Sequence, residues 1–527
     1  MRQLVRLALL LGLFGATAPL RAQLAPLGAP KGTLRFDLQG AFESADRRLL
    51  DGRGEDYLSD FGSAALGSDR FPSLKAADSI LSSILGQTGY HLNLGQTTAY
   101  GQLTVGTGTI GAALGVTRRL TLFGHIPLVT TRVQAKVAVD SGSGDAGLNG
   151  AHPTLGNTID QGNATQFFVD FSTALSTLDA RIASGTYSGN PALDAQARAL
   201  SARAANLRDG LQTLTSGPLG ASPVLPTSSS AAGTAIAAAI SALQDTLSNT
   251  LGVGGFSSSP VLAGTDFTTN DLNGLLVDPI GPFATLPLAE SKIARMGDMD
   301  VGAIYTVIDR FDQPGKSGGF RLAVQGLLRL PTGQRDNPNN LLDVGTCNGR
   351  YEVGISGTAD LGRGKLGLRM SGGYLLRLAS LRVRRVSPLS APFAEISTLT
   401  NVRYNAGDIA QLSVLPFFRI ARSFALHLEA DWLHQGSDVV NYYSQSDSIP
   451  GVNAAALGRN TSASSLALGV GVTYVGRAVR ECDPGRRCGF PIDVSWSYTN
   501  VFAGSGGRVP QVRATRVEIR WYQRLWR

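Results

Sequence analysis

Five histidines and three cysteines are spread over 527 residues, so places for proton transfer or metal ligation are few. The densest candidate is His427, Glu429 and Asp431, with His434 close behind. On an extended strand the first three side chains point the same way, about 7 Å apart in succession. General acid–base chemistry needs only two such groups within reach, so a hydrolytic site in a barrel wall could be built from them. The competing reading is a polar row that faces inward and pairs with arginines. It is favoured because no activated Ser accompanies the group. Gly315-Lys316-Ser317 has the ending of a phosphate loop, but the earlier glycine of that motif would fall at Arg310. There is no His-Glu-x-x-His, no Gly-x-Ser-x-Gly elbow and no zinc-ligand spacing. No catalytic residue, metal ligand or cofactor is therefore assigned. Cys482 and Cys488 bracket a Pro-Gly turn and can close a small disulfide loop, which fits an oxidising compartment. Cys347 is left over.

The amino terminus supplies an address. Arg2 and Arg6 precede an apolar run from Leu7 to Phe14, and small residues lead to Leu20-Arg21-Ala22 before Gln23. This is the three-part layout of a secretory signal peptide over 1–22, and the run is too short for a membrane anchor. No later run of 18 apolar residues follows. Charged residues make up only 16% of the chain and glycine is abundant, at 64. That suits a barrel with an apolar outside and a polar lumen better than a soluble domain, where about 25% charge is usual. The net charge of +8 is modest for this length, and no stacking aromatics interleave the basic residues, which disfavours nucleic acid.

Period-two segments of about ten residues recur twelve times. They fall near 33–42, 102–116, 120–139, 297–309, 318–331, 350–361, 364–379, 404–420, 423–436, 463–478, 490–503 and 511–526. In 423–436, Phe424, Leu426, Leu428, Ala430 and Trp432 share one face, and His427, Glu429 and Asp431 the other. In 318–331, Phe320, Leu322, Val324, Leu328 and Leu330 oppose Arg321, Gln325 and Arg329. With the first strand starting in the periplasm, the links after even-numbered strands are short or tied by the cysteine loop. The links after odd-numbered strands are long, except the last. Outer-membrane barrels sort their loops this way, and an even count returns both termini to one side. Aromatics near strand ends (Phe417, Phe418, Trp432, Trp496, Trp521, Tyr522) fit interfacial girdles.

Charge facing lipid at mid-membrane costs several kcal/mol, so the charged face must be the lumen. It carries Arg321, Arg329, Arg369, Arg377, Arg516 and Arg520 together with Glu352, Asp360, His427, Glu429, Asp431 and Glu518, and also Arg35, Asp37, Asp300 and Asp493. These are the expected solute-selecting residues. Two arrangements are open. Separated basic and acidic rows would set a transverse field. Interlocked pairs would fill the lumen.

The segment 140–296 has another character. Gly/Ser-rich stretches flank it, and Thr165–Ser184, Leu193–Thr215 and Ala231–Leu251 read as helices, with Phe167, Phe168, Phe171, Leu175 and Leu178 at helical spacing. It is expected to be a cap or a plug. Leu74 to Leu85 reads as a further short helix.

Leu330-Pro331-Thr332-Gly333, followed by Leu342-Asp343-Val344-Gly345-Thr346, resembles a strand–loop signature of outer-membrane transporters from aromatic-degradation (phenol meta-pathway) clusters, which are loosely akin to the long-chain fatty-acid transporter group. Gly297-Asp298-Met299-Asp300-Val301-Gly302 and Ile126-Pro127-Leu128 are similar to the same pattern, so the likeness covers about 100–139 and 297–380. The chain departs from it near Cys347, where a second glycine is expected, and at its end, where Arg527 follows Trp526.

The resulting expectation is an all-β protein: a transmembrane antiparallel β-barrel of about 12 strands (range 10–14) with a helical insert, in the cell outer membrane. Its organisation would be a signal peptide (1–22), first strands with a loop at 43–97 (23–139), the insert (140–296) and the remaining strands (297–527). The expected function is passive transport of small, hydrophobic solutes. The expected partners are outer-membrane lipid, the solute and the barrel-assembly machinery, with the oligomeric state open. The alternatives are a structural or adhesive surface barrel, with the insert as interaction module, and more remotely a barrel lipid hydrolase.

Overall fold

A computed structural model describes residues 27–217, 221–254, 256–311, 318–387, 391–421, 423–476 and 491–526. The signal-peptide segment 1–22, Gly315-Lys316-Ser317 and the Cys482–Cys488 pair lie outside the described residues. Among the described residues twelve strands close into one antiparallel barrel: β1 (Thr33–Ala45), β2 (Gln96–Gly115), β3 (Leu120–Asp140), β4 (Met299–Phe311), β5 (Gly318–Leu330), β6 (Glu352–Arg363), β7 (Leu366–Arg377), β8 (Ile409–Ala421), β9 (Phe424–Gln435), β10 (Ala463–Val475), β11 (Ile492–Gly506) and β12 (Arg513–Arg524). Each pairs with its neighbours in chain order, and β12 returns to β1 from Thr33↔Arg524 to Ser44↔Arg513. The last edge is thereby abolished, which is what a sheet needs before it can sit in hydrocarbon.

Every period-two segment coincides with one of these strands. Two beginnings differ. β2 starts at Gln96, ahead of 102, because its hairpin with β3 rises beyond the barrel to Gln96↔Asp140. There the short strand Glu290–Met296 pairs with β3 and leads into β4. β8 starts at Ile409, whereas alternation alone carried it back to 404. Tyr404 belongs to a separate strand, Leu399–Asn405, in a small sheet with Ser380–Arg385 and Val439–Tyr442. The break is at Gly407, where the backbone of Gly436 comes so close that a Cβ would collide with it.

The two faces sort as the alternation requires. Leu38, Ile110, Leu128, Ile355, Leu428 and Val470 point outward and are exposed. Phe36, Trp496, Trp521 and Phe418 lie outside towards the end that carries the termini, and Phe36 and Trp521 pair across β1 and β12 with ring centroids 5.9 Å apart. Phe417 and Tyr522, counted above among the girdle aromatics, point inward instead and are buried. Their neighbours Phe418 and Trp521 take the outer face, as a period of two dictates. At the terminal end the fully described connection between β6 and β7 is tight, through Gly364-Lys365, with Gly364 at φ 60 in the left-handed conformation such a turn favours. At the other end run the long segments 46–95, 141–298, 331–351, 378–408 and 436–462.

Those long segments fold. The helices are α1 (Leu74–Leu85), α2 (Thr158–Ala183), α3 (Pro191–Ser216), α4 (Ala231–Asp245) and α5 (Thr269–Val277). Their starts follow from the sequence. Asn157, Asn190 and Ser230 accept hydrogen bonds from the first turns of α2, α3 and α4, and Thr268 with Asp271 forms a capping box on α5. Phe167, Phe171, Leu211, Ile236 and Leu272 from these helices enter one hydrophobic core with Phe71, Val133, Leu342 and Phe393. The helices and the loops therefore make a single packed layer at the extracellular end.

The outward face yields the first prediction. Leu428 sits at mid-height of β9 and is 60% exposed. Leu428→Arg is expected to lower the stability of the barrel in lipid bilayers by about 2–4 kcal/mol in a denaturant titration. No loss of stability would mean that this face does not meet lipid.

Candidate solute site: the barrel lumen

Inward-facing charge in the lumen is interlocked, not separated into rows. Near the periplasmic end Asp360 accepts from Arg369 (Nε 2.6 Å, Nη2 2.8 Å) and from Arg321 (3.1 Å), and Arg321 also reaches Asp309 at 3.2 Å. Towards the extracellular end Arg329 is held by Asp300 at 2.8 and 3.0 Å and by Glu352 at 3.1 Å. Across the lumen Arg35 binds Asp37 at 2.7 Å, His125 approaches Asp37 at 3.3 Å, and Arg520 donates to Glu518 at 2.9 Å. Arg516 meets Glu43 at 3.3 Å. Strand register makes these meetings possible, since Arg321↔Asp360, Asp360↔Arg369, Arg329↔Asp300 and Arg329↔Glu352 are direct cross-strand partners. In an interior this dry, an arginine between two carboxylates is charge-balanced and multiply hydrogen-bonded, which is the condition for keeping it there.

Of the residues singled out for solute selection, Arg321, Arg329, Arg369, Glu352, Asp360, Arg516, Glu518 and Arg520 stand in these clusters. Arg377 is buried but donates to the Gly407 carbonyl, not to a carboxylate. His427, Glu429 and Asp431 share the inner face of β9; His427 and Glu429 are buried and Asp431 is half-buried. The His427 ring lies against Gly471 on β10, and neither ring nitrogen has a hydrogen-bond partner within the protein. No serine is bonded to His427, whereas His434, nearer the extracellular end of β9, meets Ser464 Oγ on β10 at 2.8 Å through Nδ1.

Three features were not read from the sequence. The first is that inner glycines seat rings. Phe123 covers Gly302, His125 covers Gly111 and Phe417 covers Gly367, each across one strand pairing. A glycine facing an aromatic at matched register was the available signal. The second is an apolar band on the inner wall. Following the ladder, Phe123 is opposite Gly302, Gly302 opposite Leu327, Leu327 opposite Gly354, Gly354 opposite Leu375, and Leu375 opposite Ile409. Hydrogen-bond rows climb the wall of a tilted barrel, so this band runs from the periplasmic end of β3 to the extracellular end of β8. The third is the segment before β1. Arg35 donates to the Leu27 carbonyl at 2.5 Å and the Ala29 amide to Thr121 Oγ1 at 2.9 Å, and Leu27 packs on the apolar band. Residues 27–30 thus turn into the lumen.

The extracellular mouth is filled by loop 331–351, in which every residue from Leu342 to Arg350 is buried. A buried loop must satisfy its backbone internally. Thr332 Oγ1 donates to the Gly297 carbonyl at 2.8 Å and accepts from the Met299 amide at 3.0 Å. Asp298 accepts from the amides of Gly333 and Asn348 at 3.2 and 3.1 Å. Thr346 Oγ1 accepts from Gln334 and donates to the Met296 carbonyl, both at 3.0 Å. The Leu-Pro-Thr-Gly and Asp-Val-Gly-Thr signatures are therefore two halves of one knot around the Gly297-Asp298 turn. Cys347, beside it, is a buried free thiol whose pKa is pushed up to about 12, chiefly by burial and then by the Asp298 charge. Between the knot, the segment 27–30 and the inner wall lies a cavity of about 150 Å³. Phe123, Val129, Ile304 and Leu327 face it from the apolar side, and Gln39, Gln325 and the ion-paired Asp37, Asp300, Arg329 and Arg520 from the polar side.

A closed antiparallel sheet with a greasy belt, tight periplasmic turns and a charged interior defines a transmembrane β-barrel of the outer membrane. Solved structures of like outline include an outer membrane channel from Pseudomonas putida F1 (9% identity, 95% of this chain and 100% of that one, TM-score 0.41). The toluene transporter of Ralstonia pickettii (9% identity, 94% and 90%, TM-score 0.29) and the monoaromatic hydrocarbon channel CymD (8% identity, 93% and 88%, TM-score 0.26) are also among them. The loop signature, independently of these, resembles outer-membrane transporters of aromatic-degradation clusters. No protein-family model and no curated protein matches the chain.

Breaking one lumenal cluster tests its weight. Asp360→Leu leaves the buried Arg369 without its carboxylate and is expected to cost about 3–5 kcal/mol in unfolding by guanidinium. Adding Arg369→Met to it should restore most of that loss. An unchanged midpoint for the single variant would show that water, not the ion pair, solvates Arg369.

Proposed function

We propose that this barrel is a passive outer-membrane facilitator for small hydrophobic solutes, which bind in the lumen and move on without covalent chemistry. The observation that carries this reading is the cavity. About 150 Å³, walled on one side by Leu27, Phe123, Ile304 and Leu327 and on the other by the ion-paired Arg35, Asp37, Asp300, Arg329, Glu518 and Arg520, is enough to hold a benzene-sized molecule. Its apolar side continues into the ascending band from Phe123 to Ile409, which offers an apolar body a continuous surface beside the ion pairs. The interlocked ion pairs leave no wide aqueous column, which suits a solute with an apolar body better than a hydrated inorganic ion. The segment 27–30 below is held by a few hydrogen bonds from Arg35 and Thr121 rather than by a ladder, and it is the part that would yield to let a solute pass. The motif likeness to transporters of aromatic degradation agrees with this reading.

Uptake of radiolabelled toluene by cells carrying the barrel, against cells lacking it, is the direct test; equal uptake would sink the proposal. Leu327→Asn puts an amide on the apolar side of the cavity and should weaken uptake about tenfold, the scale set by losing one apolar contact in a pocket. Removing residues 27–30 should raise single-channel conductance in planar bilayers if that segment closes the periplasmic opening.

A further inference from the structure

Beside the knot, at the extracellular rim of the lumen, lie three buried arginines of which only Arg382 touches a carboxylate, Asp336 at 3.5 Å, among the described residues. Arg350 lies just before β6, Arg377 ends β7, and Arg382 is on the strand Ser380–Arg385. The guanidinium groups of Arg350 and Arg382 each stand 5.4 Å from the centre of the Tyr404 ring. Arg350 is 6% exposed, and its Nε and Nη1 have no hydrogen-bond partner; Arg382 Nη2 has none either. Among the described residues no carboxylate reaches Arg350 or Arg377.

The acidic groups nearby are committed elsewhere. Asp336 is gripped by both terminal nitrogens of Arg384, with Arg382 a further 3.5 Å contact. Glu352 serves Arg329 and Asn348. Asp438 takes the Tyr404 hydroxyl and the Gly407 amide. Asp408 takes the Tyr374 hydroxyl and the Arg377 amide. Asp298 holds the two loop amides. Burial, and after it the charges of Arg382 and Arg377, push Arg350 down to about 10, so the cluster is under electrostatic stress. A planar guanidinium with free donors in a dry place is suited to a carboxylate, which it can grip in two-point fashion.

The geometry points to a binding site for the carboxylate of a small organic acid at Arg350, Arg377 and Arg382. Arg377 is two residues from Leu375 on the same inner face, and Leu375 is opposite Ile409, the upper end of the apolar band. A solute with an aromatic or aliphatic body and one carboxylate would lay the body on Leu375 and Ile409 and its charge on the arginines. This deepens the transport reading and rests on it, because it names the solute class as amphipathic acids.

The experiment is isothermal titration of the purified barrel with benzoate, with benzyl alcohol and with inorganic phosphate, beside toluene uptake by the same protein in cells. Benzoate is expected to bind, and Arg350→Gln should weaken it roughly tenfold or more, the scale of one charge-assisted pair, while Arg350→Lys retains part of the affinity. Heat-shifted migration on gels checks that each variant is folded. Phosphate binding more tightly than benzoate, or benzyl alcohol binding as tightly as benzoate, overturns the inference. So does benzoate affinity that Arg350→Gln and Arg382→Gln both leave unchanged. Toluene uptake that persists with any of these results leaves transport standing and this site refuted. Loss of toluene uptake in the unaltered protein refutes the transport reading by itself.

Discussion

The return of β12 onto β1 governs the rest of the molecule. Each backbone amide left without a partner in hydrocarbon costs several kcal/mol, so a sheet in the membrane has to close. Closure with alternating side chains leaves no freedom about where charge goes. Once Leu38, Leu428 and Val470 face lipid, Asp37, His427 and Glu429 on the same strands face one another across the lumen. Twelve strands enclose more space than eight, which side chains just fill, and less than the sixteen of an open porin. Arginines long enough to span that space meet carboxylates at matched register, and the lumen fills with ion pairs. The cavity is what this filling leaves over on the side where the wall is apolar.

The strands were legible because membrane and lumen impose opposite solvents on successive residues, so the sequence of β9 reads Leu426, His427, Leu428, Glu429 in strict alternation. Loop parity was legible for the same reason, since strand ends are set by where the alternation stops. It ran too far once, from Ile409 back to Tyr404, because the alternation persists into a separate sheet and only the close approach of Gly407 and Gly436 interrupts it. The helices of the insert were legible from the spacing of their apolar residues, but α2 begins at Thr158, ahead of the expected Thr165, because Asn157 caps a polar first turn that apolar spacing does not mark. All of these are local signals.

The lumenal arrangement was not legible to the same depth. Which arginine meets which carboxylate depends on register between strands that can lie far apart in the chain, as with Arg516 and Glu43. A row of alternating charges on one strand is equally compatible with separated or interlocked rows. The apolar band was hidden because its members sit on different strands and are linked through Gly302 and Gly354, which look like turn or packing glycines when read singly. Loop 331–351 carried a recognisable signature, but hydrophilic loop composition gives no hint of burial. Only the bonds that the side chains of Thr332, Asp298 and Thr346 make to the backbone of Met296, Gly297, Met299, Gly333, Gln334 and Asn348 explain how such a segment can be inside.

The distribution of hydrogen bonds also decides which parts of the barrel can move. Parting two neighbouring strands would expose a run of backbone groups to lipid at several kcal/mol each. Moving residues 27–30 gives up the Arg35 bond to the Leu27 carbonyl and the Ala29 bond to Thr121, and both sets of groups would then face water, where each bond is worth only about 1 kcal/mol net. Loop 331–351 is harder to displace than the segment 27–30, because Asp298, Thr332 and Thr346 tie it at several points and Leu342 and Val344 anchor it in the core of the helical layer. The periplasmic opening is therefore the softer of the two closures. For the proposed solute, held against Phe123 and Leu327, the described residues set a weaker barrier towards the periplasm than back through the knot, without any part of the wall having to open.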